Sequence, residues 1–115
     1  MSGKKITTDI EAQDTTIREI VARLVNVYHP ERIYLFGSAA RGDAGPDSDY
    51  DFLLVMPDDA PADLLRAKRA HTALWGLKAS ADVLIWTRQR FESRLHLKSS
   101  LPATVLREGT LLYAA

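Results

Sequence analysis

The chain has 115 residues, 46% of them apolar, which suffices for one domain with its own core and argues against general disorder. Fifteen basic and fifteen acidic side chains cancel to zero net charge, so no broad electrostatic attraction to nucleic acid is expected. Cysteine is absent, which excludes disulfide scaffolds and thiolate metal sites, and no apolar run is long enough to cross a membrane. These features, with a polar N-terminus instead of a signal peptide, lead to the expectation of a cytoplasmic protein forming a single domain over residues 1–115.

Residues 1–14 are mostly polar and read as a loose start. Thr15 or Thr16 is placed to cap a helix, with Glu19 completing a capping box three residues after Thr16. Ile17, Ile20, Val21, Leu24, Val25 and Tyr28 then recur at helical spacing, and His29-Pro30 ends the run. Arg32–Phe36 is rich in strand formers and stops at Gly37. Residues 42–48 are loop chemistry, and Asp49–Met56 reads as a second strand, apolar on both faces in its later part, as a central strand is. After the Pro57–Pro61 turn, Asp63 is placed to cap a helix from Leu64 to about Leu77, with Leu65, Ala70 or His71, Leu74 and Leu77 as its inner stripe. Ala81–Thr87 reads as a third strand. Helical material is expected over residues 88–97 and 102–108, Gly109 as a C-cap, and a short last strand over Thr110–Tyr113. This order predicts an α/β or α+β fold, a small mixed sheet with helices packed on it.

Chemistry concentrates in residues 37–51. Gly37 permits a close backbone approach, and Ser38 offers its N–H and hydroxyl to phosphate oxygens. Arg41 is placed either to reach a triphosphate or to hold the acidic loop. Asp49 and Asp51, two apart on a strand, point to one face, and neighbouring carboxylates need protons or a cation. Mg²⁺ suits such oxygen donors and takes phosphate oxygens as well. If the third strand lies beside the second, Asp82 joins the pair, and three carboxylates around two metals form a clamp for phosphoryl or nucleotidyl transfer. Each element alone is ordinary: Gly-Ser is a common turn, Asp-x-Asp a common strand start, and Asp82 a common cap. Their combination at strand ends carries the reading.

Elsewhere the signals are weaker. His29, His71 and His96 share no metal-ligand spacing and read as helix-end or surface residues. Trp75 and Trp86 read as core or interface. Arg66, Lys68 and Arg69 read as a solvated helix face, whereas Arg88, Arg90 and Arg94, with Lys98, make a basic run that an acidic partner or RNA could meet. Asp43, Asp47 and Ser48 read as loop residues.

Gly37-Ser38, ten residues, then Asp49-Tyr50-Asp51 resembles the GS-x10-DxD signature of the DNA polymerase β-like nucleotidyltransferase superfamily. Gly-Ser-Ala-Ala-Arg-Gly followed by Ser48-Asp49-Tyr50-Asp51 is most similar to the minimal nucleotidyltransferase, or MNT, domains. The likeness runs from the first helix through Asp82, and Arg107–Tyr113 also looks like the close of such domains. It implies the polymerase β-like fold, two Mg²⁺ ions held by Asp49, Asp51 and Asp82, and ATP phosphates held by Gly37 and Ser38. Asp82 would also orient or deprotonate the acceptor hydroxyl. The resemblance further implies an antitoxin paired with a HEPN-type toxin, on which it places AMP at a tyrosine. The alternatives are an antitoxin that neutralises by binding alone, or nucleotidyl transfer to a small molecule or RNA.

Overall fold

The structure, a computed structural model, describes residues 8–37, 50–77 and 79–115, with side chains of the first helix from Thr15 onward. Its elements are helix α1 (Thr8–Tyr28), strands β1 (Arg32–Phe36) and β2 (Tyr50–Met56), a 3-10 turn (Ala62–Leu65), and helix α2 (Lys68–Ala73). Strand β3 (Ala81–Thr87), helices α3 (Arg88–Ser93) and α4 (Leu101–Glu108), and strand β4 (Thr110–Ala114) complete it. The four strands form one mixed sheet in the order β3-β2-β1-β4. β1 pairs antiparallel with β2 and β4, while β2 and β3 run parallel, their connection carrying α2 as a parallel crossover requires. The expected α+β architecture is the one observed.

Each face of the sheet has its own core. On one face Ile20, Leu24 and Tyr28 of α1, spaced four apart, are fully buried against Ile33, Leu35, Phe52 and Leu54. Burying such a side chain contributes about 1.5–3 kcal/mol. On the other face Leu53 and Val55 meet Tyr34, Phe91 of α3 and Val105 of α4. Tyr34 and Phe91 stack with ring centroids 5.7 Å apart. β2 lies between β3 and β1, so its residues from Phe52 to Met56 are buried on both faces, as the unbroken apolar run predicts.

Three helices differ from expectation. α1 begins at Thr8, a full two turns before the capping box at Thr15 or Thr16. Residues 8–28 contain neither Gly nor Pro, so nothing stops propagation, and each added residue gains a hydrogen bond that a cap in the middle would forfeit. At the other end the helix stops where expected: His29 adopts φ +50° and donates its N–H to the Val25 carbonyl at 2.9 Å before Pro30.

The single helix expected from Leu64 to Leu77 is broken. Arg66 is extended, at φ −116° and ψ 146°, and separates the 3-10 turn from α2. The cause is Tyr28. Its hydroxyl donates to the Arg66 carbonyl at 2.6 Å and accepts from the Ala70 N–H at 2.8 Å. A continuous helix would join that carbonyl and that N–H to each other. Asp63 therefore caps nothing; Pro61 holds the N-cap position, and Asp63 pairs with Arg69 instead. The inner stripe survives the break: Ala70 is buried and Leu65, Leu74 and Leu77 pack on the α1 face, while His71 is exposed.

On the second face, Thr87 and Ser100 cap α3 and α4 by accepting from the Arg90 and Ala103 N–H groups. α3 ends at Ser93, short of residue 97. Gly109 does close α4, but in extended conformation rather than a left-handed one. Its lack of a side chain serves proximity: a Cβ there would stand 2.6 Å from the Val105 carbonyl oxygen and 2.8 Å from that of Leu35. Glycine thus lets α4 turn directly into β4 against β1.

Candidate active site

Three strand ends meet at one end of the sheet. β1 delivers Phe36 and then Gly37; β2 starts at Tyr50 and Asp51; β3 starts at Ala81 and Asp82. The pairing is direct. Phe36 is the register partner of Asp51 across β1–β2, and Asp51 is the register partner of Asp82 across β2–β3. Side chains alternate along a strand, so Asp51 shares its face with Leu53 and Val55, and Asp82 shares the same face with Leu84 and Trp86. Neighbouring strands stand about 4.8 Å apart, which sets the two carboxylates side by side. The condition on which the sequence placed Asp82 in the cluster is met.

Gly37 lies against Asp51. Its backbone has φ +77°, a left-handed conformation that glycine alone adopts freely. A Cβ at this position would run into Asp51 Oδ2 and stand 3.2 Å from its Cγ. The β1 terminus thus brings main chain, without an intervening side chain, onto the Asp51 carboxylate. Ser38, Arg41 and Asp49, expected in the same site, lie outside the described residues. Among the described residues no group of three His, Cys, Asp or Glu side chains gathers to hold a metal.

Asp51 is half-buried and Asp82 exposed. Like charges directly opposite on adjacent strands repel, and a cation between them removes the penalty. The donors are carboxylate oxygens, the chemistry a hard cation such as Mg²⁺ takes. The two residues therefore fit the metal that the sequence suggests.

An open cleft of about 1070 Å³ adjoins the pair. Phe36, Asp51 and Asp82 line it from the sheet, and His71, Leu74 and Trp75 from α2 and its exit. Arg23 of α1 fixes that exit, donating to the carbonyls of Ala73 at 3.2 Å and Trp75 at 3.1 Å while paired with Glu19. Trp75, read from the sequence as core or interface, is 77% exposed on the cleft wall and is no part of the core. It follows the last helical turn immediately before Gly76, at φ +91°, and that Trp-Gly pair at a helix end was the available signal for an outward-facing ring. His29, His71 and His96 are all exposed, as expected.

No curated protein matches the sequence. Among solved structures, a putative nucleotidyltransferase from Sulfolobus solfataricus is similar at TM-score 0.61 and 22% identity, over 91% of this chain and 86% of that one. A toxin–antitoxin structure with AMP-PNP is similar at TM-score 0.55 and 22% identity, over 84% and 72%. A mutant of the toxin–antitoxin MntA–HpeT is similar at TM-score 0.53 and 20% identity, over 83% and 71%. At such identities the likeness is one of fold. The family model for the nucleotidyltransferase domain matches residues 15–108, nearly the whole described chain, and the protein belongs to that family.

Proposed function

We propose that the protein is an Mg²⁺-dependent adenylyltransferase that places AMP from ATP on a tyrosine hydroxyl of a partner protein, and that it serves as the antitoxin of a HEPN-type toxin. The observation that carries the reading is the direct register pairing of Asp51 and Asp82 beside Gly37, at the mouth of a nucleotide-sized cleft. The toxin–antitoxin assemblies of similar fold, one of them with AMP-PNP, support the partner and the nucleotide.

In this reading Asp49, Asp51 and Asp82 hold two Mg²⁺ ions, which when bound neutralise the charge on the phosphate oxygens. Gly37 and Ser38 offer main-chain N–H groups to the β- and γ-phosphates, and Arg41 adds a cation. Asp82, the exposed member of the pair, orients the acceptor hydroxyl and takes its proton. The hydroxyl oxygen forms a bond to the α-phosphorus as the bond to the bridging oxygen breaks, and pyrophosphate carries away the electron pair.

The test is incubation with ATP labelled at the α-phosphate, Mg²⁺ and the product of the neighbouring gene. Label appears on the partner with wild type and is lost with Asp51→Asn/Asp82→Asn. Absence of label with wild type and variant alike would sink the catalytic reading. Neutralisation of the partner by the variant as well as by wild type would make the protein an antitoxin that acts by binding.

A further inference from the structure

Beyond the carboxylates, the same face of β3 carries a second feature. Asp82, Leu84 and Trp86 alternate outward along the strand, on the face shared with Asp51. β3 is the edge of the sheet, with no further strand beside it among the described residues. Leu84 is 41% exposed, so among the described residues the stripe between the acid and the indole stays open. At its far end two guanidiniums gather on one ring. Arg90 Cζ lies 4.3 Å from the Trp86 ring centroid and Arg94 Cζ 5.9 Å from it.

Neither arginine has a carboxylate partner among the described residues, although both are exposed. The neighbouring Arg88 is different: it is spent on Glu31 at 3.0 Å and Asp58 at 3.4 Å. Glu92, the carboxylate of α3, lies within electrostatic reach of Arg32. The three arginines of the basic run thus divide into one used within the fold and two presented outward. Attraction to the Trp86 ring holds both guanidiniums near it and lowers the ordering cost of meeting an anion. Four residues of strand separate them from Asp82, roughly 13 Å.

We infer that the Asp82–Leu84–Trp86 stripe with Arg90 and Arg94 is the docking track for an acidic polypeptide, whose acidic side chains engage the two arginines while its hydroxyl-bearing residue reaches Asp82. The inference rests on the proposed transfer to a partner protein and adds the chemistry of the segment recognised. Zero net charge favours a polypeptide over a nucleic acid, since the domain as a whole offers a polyanion no broad attraction.

A glutamate–tyrosine copolymer and a lysine–tyrosine copolymer are suitable probes, with oligouridylate as a third. Fluorescence anisotropy should show the acidic copolymer binding wild type, more weakly as salt rises, and the basic one not binding. Arg90→Glu/Arg94→Glu should weaken the acidic copolymer by about tenfold or more, while Lys68→Glu, an exposed cation on α2, leaves it unchanged. Both variants should bind ATP as wild type does. Equal binding of the acidic copolymer to wild type and Arg90→Glu/Arg94→Glu overturns the inference, and so does arginine-dependent binding of oligouridylate alone. Arginine-dependent binding without any transfer of AMP to the copolymer or to the neighbouring-gene product keeps the track and removes the catalytic reading on which its purpose depends.

Discussion

Asp51 and Asp82 are register partners on adjacent parallel strands, two carboxylates facing one side of the sheet with no residue between them. Such a pair is held together by the hydrogen bonds of the two strands and pushed apart by its own charge. In the proposed function a divalent cation bound there would contribute to folding stability as well as to chemistry. Mg²⁺ at a hundred times its Kd should add about 2.7 kcal/mol, and chelation should remove it. Thermal unfolding with and without Mg²⁺ measures this, and Asp82→Asn should shrink the shift. The same substitution should cut AMP transfer by about a hundredfold or more, through loss of charge placed where the phosphate oxygens gather.

Gly37→Ala tests the other side of the site. The substitution forces a left-handed φ on a residue with a Cβ, at a cost of about 1–2 kcal/mol, and drives that Cβ into the Asp51 carboxylate. Asp51 must move, so nucleotide transfer should fall further than stability does. Comparing the urea midpoint with the transfer rate separates the two; a rate that falls only in step with stability would mean that the contact with Asp51 is incidental.

Much of this site was legible because strand ends concentrate their chemistry locally. Gly37 stops an apolar run and Asp51 and Asp82 head two others, so position along the chain alone placed them at element termini. The register that makes Asp51 and Asp82 neighbours was legible only as a condition, since pairing between strands thirty residues apart is decided by how α2 crosses between them. The break at Arg66 was hidden for a related reason. Local spacing over Leu64–Leu77 is helical, and the group that interrupts it, the Tyr28 hydroxyl, comes from α1. For Trp75, read as core or interface, apolarity alone could not choose between a ring that faces a cleft and one that fills a core; only the Gly76 that follows it pointed outward.

Tyr28→Phe isolates that interruption. The ring remains and keeps its packing in the core, so only the hydroxyl is lost. The Arg66 carbonyl loses its 2.6 Å donor, and the Ala70 N–H keeps only its 3.0 Å bond to the Ala67 carbonyl. A partly buried polar group left short of a partner costs about 1–2 kcal/mol. The unfolding free energy should drop by that amount, read as a lower urea midpoint with the slope unchanged. Because α2 and its exit wall the cleft, ATP affinity should weaken too.

Tyr28 also sets an alkaline limit. Burial raises its phenol above the ordinary 10.0, outweighing the bond from Ala70 and the nearby Arg69, which both pull downward, while Asp63 adds to the rise. The sign follows from which state holds the proton more tightly. Below pH 10 the phenol is protonated whether folded or unfolded, and its full contribution to stability is present. Above pH 10 the unfolded chain ionises first, so stability falls until the pH passes the raised folded value. Wild type should therefore lose stability across that window. Tyr28→Phe should start lower at pH 8 and lose less above pH 10, so the two curves converge. Urea unfolding at pH 8, 10 and 11 measures the convergence, and parallel curves would show that the hydroxyl ionises as freely in the fold as in the unfolded chain.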